Sequence, residues 1–233
     1  MKRLIPRLIK KRLREFIDYR FDRHATKSYS QEGEDMILKK LLEAEPCGFF
    51  VDVGAHHPMR FSNTFYFYKK GWTGINIDAR PGIKKLFDSL RPKDINIESG
   101  VSPEKCKLTY FMFNEPALNT FDEKLANERV STTYSIIKKI EIDCLPLVDL
   151  LDIYVPKNNK ITFISIDIEG YDLQVLKSND WNKYRPKFII VESYHVLVND
   201  VIESDIYKFL SSLEYNLCSK SYYSLIFKDS KLS

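Results

Sequence analysis

One stretch decides the fold, FFVDVGAHHP at residues 49–58. Its first five residues form a short run of aromatic and β-branched side chains, which predicts a buried strand. Gly54 then permits a tight turn out of that strand. On both sides of this stretch, strand and helix patterns alternate along the chain. The alternation predicts a doubly wound α/β domain with a mostly parallel sheet.

The hydrophobic periodicity and the turn residues place the remaining elements. Strands are predicted at 49–53, 74–77, 94–97, 107–113, 136–144, 161–166 and 188–191, with a closing antiparallel hairpin of 215–218 and 224–227 at one edge. Helices are predicted at 35–44, 61–70, 83–90, 147–153, 173–176 and 202–213. The polar segment 114–135 is predicted to be an irregular insert.

Length and composition limit the class of protein. The 233 residues fit one α/β domain, and 44% hydrophobic with 29% charged residues excludes collagen-like and disordered chains. No apolar run approaches the roughly 20 residues that span a bilayer. The four cysteines are scattered without a C-x-x-C pair, which predicts free thiols in a reducing compartment. Because the N-terminus lacks the pattern of a secretory signal, we expect a cytoplasmic protein.

The positive charge is concentrated at the N-terminus. Seven Lys or Arg lie between Met1 and Arg14, before the first acid, Glu15. Apolar residues recur there at the helical period up to about Tyr19, so segment 1–27 is predicted to be a basic amphipathic helix ahead of a domain at 28–233. Three interpretations are open: docking on an anionic membrane or a partner, packing on the domain itself, and an organelle presequence. The remaining body is slightly acidic, so no nucleic-acid partner is expected.

Acidic residues stand where most of the predicted parallel strands end. Asp52 lies in the first strand, Asp78 ends the second, Asp167 and Glu169 follow a later strand, and Glu192 follows the next. Turn chemistry could explain one such acid but hardly all of them. Ligands of open α/β sheets bind outside the carboxyl ends of the strands. We therefore expect the acids to surround a site.

The spacing of Gly54 and Asp78 favours a nucleoside cofactor. A carboxylate about one βα unit after the glycine is placed to accept hydrogen bonds from ribose hydroxyls. A pyrophosphate-binding turn would need G-x-G-x-x-G, but Ala55, His56, His57 and Pro58 follow the first glycine. The bulky histidines would crowd a pyrophosphate. S-adenosylmethionine is therefore favoured over NAD.

A series of short motifs adds to this interpretation. They are YSQEGED at 29–35, FVDVGAHHP at 50–58, SNT at 62–64, GW at 71–72, IDARP at 77–81, ALNTF at 117–121, IDIEG at 166–170 and VL at 175–176. Together, in order and between about Tyr29 and Glu192, they resemble the FkbM family of S-adenosylmethionine-dependent methyltransferases. The resemblance implies a Rossmann-like class I methyltransferase fold, an α/β fold with a mostly parallel seven-stranded sheet whose last strand is antiparallel.

The resemblance also implies an activity and a set of cofactor contacts. The activity is O-methylation of a sugar hydroxyl in a glycan or glycosylated metabolite. By matching position, the implied contacts are Asp52, Val53, Gly54 and Ala55 at the methionine end, Asp78 and Ala79 at the ribose, Gln31 and Glu34 closing the site, and Asn63 at the start of the first helix. Residues 105–145 match the most variable region and would shape the acceptor pocket.

The reaction limits the choice of catalytic residues. A sugar hydroxyl is a poor nucleophile at neutral pH and needs a general base or a metal. The candidates are Asp167, Glu169, Glu192, His57 and, less favoured, His56. Mg²⁺ bound by the three acids could chelate a sugar diol. Without a metal, their mutual repulsion would raise the pKa of one carboxylate and suit it to act as the base. The alternative function is a non-catalytic or differently reacting Rossmann-like protein that binds a nucleoside cofactor.

Overall fold

The structure is a computed structural model that describes residues 7–194 and 197–231. Its strands are β1 (Phe49–Val53), β2 (Thr73–Asp78), β3 (Ile95–Glu98), β4 (Gly100–Val101), β5 (Cys106–Phe113), β6 (Ile136–Leu145), β7 (Phe163–Ile166), β8 (Phe188–Glu192), β9 (Tyr215–Lys220) and β10 (Ser224–Asp229). Its helices are α1 (Arg7–Arg20), α2 (Glu34–Leu41), α3 (Phe65–Lys69), α4 (Ile83–Leu90), α5 (Glu123–Arg129), α6 (Leu147–Tyr154), α7 (Asp172–Lys177), α8 (Val198–Val201) and α9 (Asp205–Ser212), with a 3₁₀ turn at Pro116–Leu118.

The main sheet has seven strands in the order β3-β2-β1-β7-β8-β10-β9. The pairs from β3 to β8 are parallel, whereas β10 is antiparallel to both β8 and β9. This is an α/β Rossmann-like fold with a mostly parallel seven-stranded sheet whose last strand is antiparallel, as the family resemblance implies. The strand order reverses between β1 and β7. Open α/β sheets bind their ligands at such a switch point.

Helices cover both faces of the main sheet, because alternate strand residues point to opposite sides. Val51 and Val53 pack with Leu150 of α6 and Leu176 of α7 on one face. On the other face, Phe50 and Phe163 pack with Leu38 of α2, Phe67 of α3 and Trp72. The strands are therefore buried on both sides, which accounts for the continuous apolar run at 49–53.

A second, smaller sheet forms beside the main one. It has the order β4-β6-β5, with β5 and β6 paired antiparallel. Most of it comes from residues 105–145, the segment predicted to shape the acceptor pocket. That role stays a prediction.

Three of the predicted elements are wrong in detail. The helix expected at 61–70 begins only at Phe65, because the Ser62 hydroxyl accepts hydrogen bonds from the backbone N–H groups of Thr64 and Phe65 and holds a turn there. The insert at 114–135 contains α5, which the Asp122 side chain caps. The helix expected at 202–213 begins only at Asp205, where Ser204 caps α9, and the short helix α8 precedes it.

Helix α1 covers Arg7–Arg20 of the segment predicted to be the N-terminal helix, residues 21–27 are not helical, and Met1 to Pro6 lie outside the described residues. The large apolar side chains of α1 are mostly exposed, which contradicts the interpretation that the helix packs on its own domain. None of the helices in the described ranges is long and apolar enough to cross a bilayer.

Candidate functional site

A cavity that opens to solvent, here called the central cavity, lies at the carboxyl ends of β1, β2 and β7. It occupies the switch point of the main sheet, where the topology predicts a ligand. Its lining comes from these strand ends, from the second sheet and from the loop before α2, and consists of Gln31, Val53, Gly54, His56, Phe61, Ile77, Asp78, Ala79, Ser99, Gly100, Val101, Tyr110, Pro116, Ala117, Asn119, Thr120, Phe121, Asp167, Ile168 and Glu169.

A smaller cavity, here called the acidic cavity, adjoins it. The two cavities share Gln31, Phe61 and Asp167, so Asp167 lies where they meet. The rest of its lining is mostly polar and carries three further carboxylates, the residues being Glu32, Glu34, Asn63, Glu192, Tyr223 and Ser224. The site therefore has two adjoining compartments of different chemical character.

Gly54 shapes the floor of the central cavity. Its φ of +80° lies in the left-handed region, which favours glycine. A Cβ atom at this position would lie 1.8 Å from the backbone oxygen of Asp167. The N–H groups of Gly54 and Ala55 both donate to the Ile77 carbonyl, which fixes the turn against β2. Any larger residue would force β1 and β7 apart at the cavity.

Asp78 is held rigidly at the wall of the central cavity. Its Oδ2 accepts a hydrogen bond from the His56 N–H at 2.8 Å, and its Oδ1 accepts one from the Arg80 N–H at 2.8 Å. Burial raises the pKa of Asp78 above its usual value, while these N–H groups and the Arg80 charge act in the opposite direction. A carboxylate has about four acceptor positions, so Asp78 can still accept hydrogen bonds from a ligand.

Three carboxylates come together beside Asp167. One oxygen from each of Asp167, Glu169 and Glu192 lies within 4.8 Å of the others. Burial raises the pKa of Glu192 to about 11, and repulsion by Asp167 and Glu169 adds to this effect. The pKa of Asp167 is also raised, first by its depth in the protein and then by Glu169 and Asp172, although its side chain is open to the cavity. At neutral pH this cluster therefore retains protons that isolated carboxylates would lose.

Glu169 is clamped by two further side chains. The Arg129 guanidinium of α5 forms an ion pair with it, and the Tyr194 hydroxyl donates to it at 2.6 Å. Arg129 also donates to the Tyr194 oxygen and to the Leu118 carbonyl, each at 3.0 Å. The clamp thus joins the insert to the loops that follow β7 and β8.

The site residues predicted from the sequence lie in the central cavity, in the acidic cavity, or outside the described linings of both. Gln31, Val53, Gly54, Asp78, Ala79, Asp167 and Glu169 line the central cavity, and Gln31, Glu34, Asn63, Asp167 and Glu192 line the acidic cavity. The described linings do not include Asp52, Ala55 or His57.

These three residues have other contacts. Asp52 is buried and accepts a hydrogen bond from the Thr64 hydroxyl at 2.6 Å, and Ala55 packs against α4. The Nδ1 atom of His57 accepts hydrogen bonds from the N–H groups of Met59 and Arg60, at 3.1 and 3.0 Å.

Sequence comparison then identifies the family. A family model described as the methyltransferase FkbM domain matches residues 52–217, well over half of the chain. The chain belongs to the FkbM methyltransferase family. No curated protein sequence matches it.

Two solved structures are among those similar to this FkbM protein. The O-methyltransferase from Bacillus cereus in complex with SAH is 15% identical, with a TM-score of 0.43 and coverage of 97% of this chain and 92% of that chain. YjhP from E. coli is 9% identical, with a TM-score of 0.37 and coverage of 84% and 69%.

Several residues at the site of this FkbM protein were not singled out from the sequence. Ser99 and Gly100 follow β3, so the rule that strand ends form the site could have found them. Thr120 belongs to a family motif, and its hydroxyl donates to the Glu169 carbonyl at 2.8 Å. The sequence around Arg129 and Tyr194 does not indicate a role at the site, because these residues contact Glu169 only in the folded chain and lie 40 and 25 residues from it in sequence.

Proposed function

We propose that this FkbM protein transfers a methyl group from S-adenosylmethionine to a hydroxyl of a sugar in a glycan or glycosylated metabolite. The observation that carries the proposal is the junction of the two cavities at Asp167. One compartment suits a nucleoside and the other suits a polyhydroxylated acceptor. The shared carboxylate lies where the two would meet.

The residues of the central cavity fit S-adenosylmethionine. Ile77 and Val101 offer apolar surface to a base, and Asp78 offers acceptors to ribose hydroxyls. Gly54 leaves room for close approach of the ligand to the backbone. The bound cofactor supplies a methyl group on a positively charged sulfur, and the neighbouring carboxylates favour a cation.

The acidic cavity supports a neutral sugar as the acceptor. Glu34 and Glu192 can accept hydrogen bonds from hydroxyls, and the Asn63 amide lies on the same wall, where its nitrogen donates to the Ser165 hydroxyl at 3.0 Å. Negatively charged acceptors would be repelled by the carboxylates. Family resemblance points in the same direction. The proposed acceptor is therefore an uncharged, hydroxyl-rich group.

Asp167 is the proposed general base. Its raised pKa makes it a stronger base than an ordinary carboxylate, and it is open to both cavities. His57 is less suited, because its Nδ1 already accepts two backbone hydrogen bonds and because burial, Arg80 and Arg60 lower its pKa. Glu169, fixed by its clamp, and the protonated Glu192 would position Asp167.

Mg²⁺ is a separate part of the proposal. Asp167, Glu169 and Glu192 present oxygen ligands of the type that Mg²⁺ prefers, and they would hold the ion. The Arg129 guanidinium competes for Glu169. If Mg²⁺ assists the reaction, a chelator should lower the rate of methyl transfer. If Asp167 acts as a free base, the chelator should leave the rate unchanged.

The test is methyl transfer by the full chain. The protein is incubated with methyl-labelled S-adenosylmethionine and a glycan extract, and the products are hydrolysed and analysed by mass spectrometry. We expect the label in O-methyl sugars. Asp167→Asn should abolish transfer while S-adenosylhomocysteine still binds. The matched control is Asp152→Asn, an exposed acid of α6, which should leave transfer unchanged.

Other outcomes would contradict parts of this proposal. Cofactor binding without transfer to any acceptor would favour the non-catalytic alternative. Label in nucleic acid or protein would refute the sugar acceptor. An unchanged rate of methyl transfer after exhaustive chelation would refute the role of Mg²⁺. A rate that falls on chelation and recovers when Mg²⁺ is added would establish that role.

A further inference from the structure

Helix α1 exposes a row of large apolar side chains. The side chains of Leu8, Ile9, Leu13 and Phe16 are 73%, 55%, 53% and 63% exposed. Ile9, Leu13 and Phe16 are spaced by four and three residues and therefore share one face of the helix. A contiguous apolar surface of this kind on an otherwise polar helix marks an interaction site.

The opposite side of α1 is basic. Lys10 and Arg14 lie four residues apart, beside Lys11, and all three are exposed. The ion pairs of these basic residues are long, Lys11 with Glu15 at 3.9 Å and Arg14 with Asp18 at 4.0 Å. Such exposed ion pairs contribute little to the stability of the protein. Along the sequence, residues 1–14 contain seven Lys or Arg and no acidic residue, and the first acid is Glu15.

A groove lined in part by lysines lies near the point where α1 joins the domain. Thr26, six residues after α1, lines a groove between α2 and α3 together with Lys39 and Lys70. Both lysines lie over the Tyr66 ring, at 5.7 and 5.8 Å from its centre. The same lining carries Glu43 and Glu45, which pair with Lys40 and Lys187, so Lys39 and Lys70 are the lysines of this groove that add positive charge near the end of α1.

We propose that α1 binds an anionic membrane surface. The apolar face would enter the boundary between headgroups and acyl chains, and the lysines and arginines would contact lipid phosphates. This partner matches both faces of the helix. A second copy of the chain would match only the apolar face, because the basic side would point away from it and would have no anionic partner there. The proposal is independent of the methyl-transfer activity.

The test is co-sedimentation of the full chain with lipid vesicles. Vesicles of phosphatidylcholine alone are compared with vesicles that contain about one third phosphatidylglycerol, and only the anionic vesicles should bind the protein. Leu13→Asp with Phe16→Asp should abolish binding. Lys10→Gln with Arg14→Gln should weaken it by about 10-fold or more. The control, Ile153→Asp, changes an apolar residue of α6 that is 64% exposed, and it should bind normally.

The variants change exposed residues, so their thermal unfolding should match that of the unchanged protein. The proposal is overturned if the full chain does not bind anionic vesicles, if it binds both vesicle types equally, or if the apolar double variant binds as well as the control. A dimer in lipid-free solution that the same double variant dissociates would assign the face to a second copy instead.

Discussion

Replacing Asp78 with asparagine tests the proposed cofactor site directly. The carboxylate accepts one hydrogen bond on each oxygen from the backbone, and the same oxygens are the proposed acceptors for ribose hydroxyls. Asparagine keeps the shape but loses the charge, and its nitrogen cannot accept a hydrogen bond. The substitution therefore removes the charge-assisted contact to the ligand and one backbone contact.

The magnitude follows from the energy of such contacts. A hydrogen bond to a charged group contributes about 1.5–3 kcal/mol. At about 1.4 kcal/mol for each factor of ten, the Kd for S-adenosylhomocysteine should rise by about 10- to 150-fold. Burial raises the pKa of Asp78, so affinity should also fall as the pH drops through that pKa and the carboxylate becomes protonated. The variant should lack this pH dependence.

The assay is isothermal titration calorimetry of the full chain with S-adenosylhomocysteine. The matched control is Glu98→Gln, because Glu98 pairs in register with Asp78 and likewise accepts backbone hydrogen bonds, from Gly82 at 2.8 Å and Lys84 at 3.4 Å. Glu98 is exposed, and the described cavity linings do not include it. The control should bind normally. An unchanged Kd in the Asp78 variant, or equal losses in both variants, would refute the reasoning.

Two further predictions concern a buried acid and the clamp on Glu169. Burial raises the pKa of Asp52 from its usual 3.8 to about 6. At about 1.4 kcal/mol per pKa unit, this shift lowers the free energy of unfolding by about 3 kcal/mol at a pH where Asp52 is ionised in both the folded and the unfolded state. Asp52→Asn should therefore raise the unfolding free energy in urea by up to about 3 kcal/mol at pH 7.5, and the gain should vanish towards pH 4; a gain independent of pH would contradict this. Arg129→Met should release Glu169 and lower kcat by roughly 10- to 100-fold, with little change in the Kd of S-adenosylhomocysteine; an equal loss of cofactor affinity would show that the clamp acts on the cofactor instead.

The general position of the site could be predicted from the sequence, but the orientation of individual side chains could not. Parallel strands bring their carboxyl ends to one edge, so Asp78, Asp167 and Glu192 meet there. Asp52, one residue before the end of β1, turns away from the cavities and contacts Thr64. Successive side chains of a strand point to opposite faces, so a single position decides which face a residue takes.

Helices and turns also differ in how far the sequence predicts them. The pattern of 83–90 matches α4 because an amphipathic period is a local property. The start of α3 depends on hydrogen bonds of the Ser62 side chain that compete with the helix, and the periodicity does not report them.

The sequence by itself determined the sheet, the family and the ring of strand-end acids, because strand period, glycine turns and short motifs are all encoded by neighbouring residues. Only the tertiary structure decided that Arg129 and Tyr194 hold Glu169, that two cavities meet at Asp167, and that the apolar face of α1 is exposed. These features depend on contacts, or on the lack of packing, between segments far apart in the chain. Local periodicity carries no information about such partners.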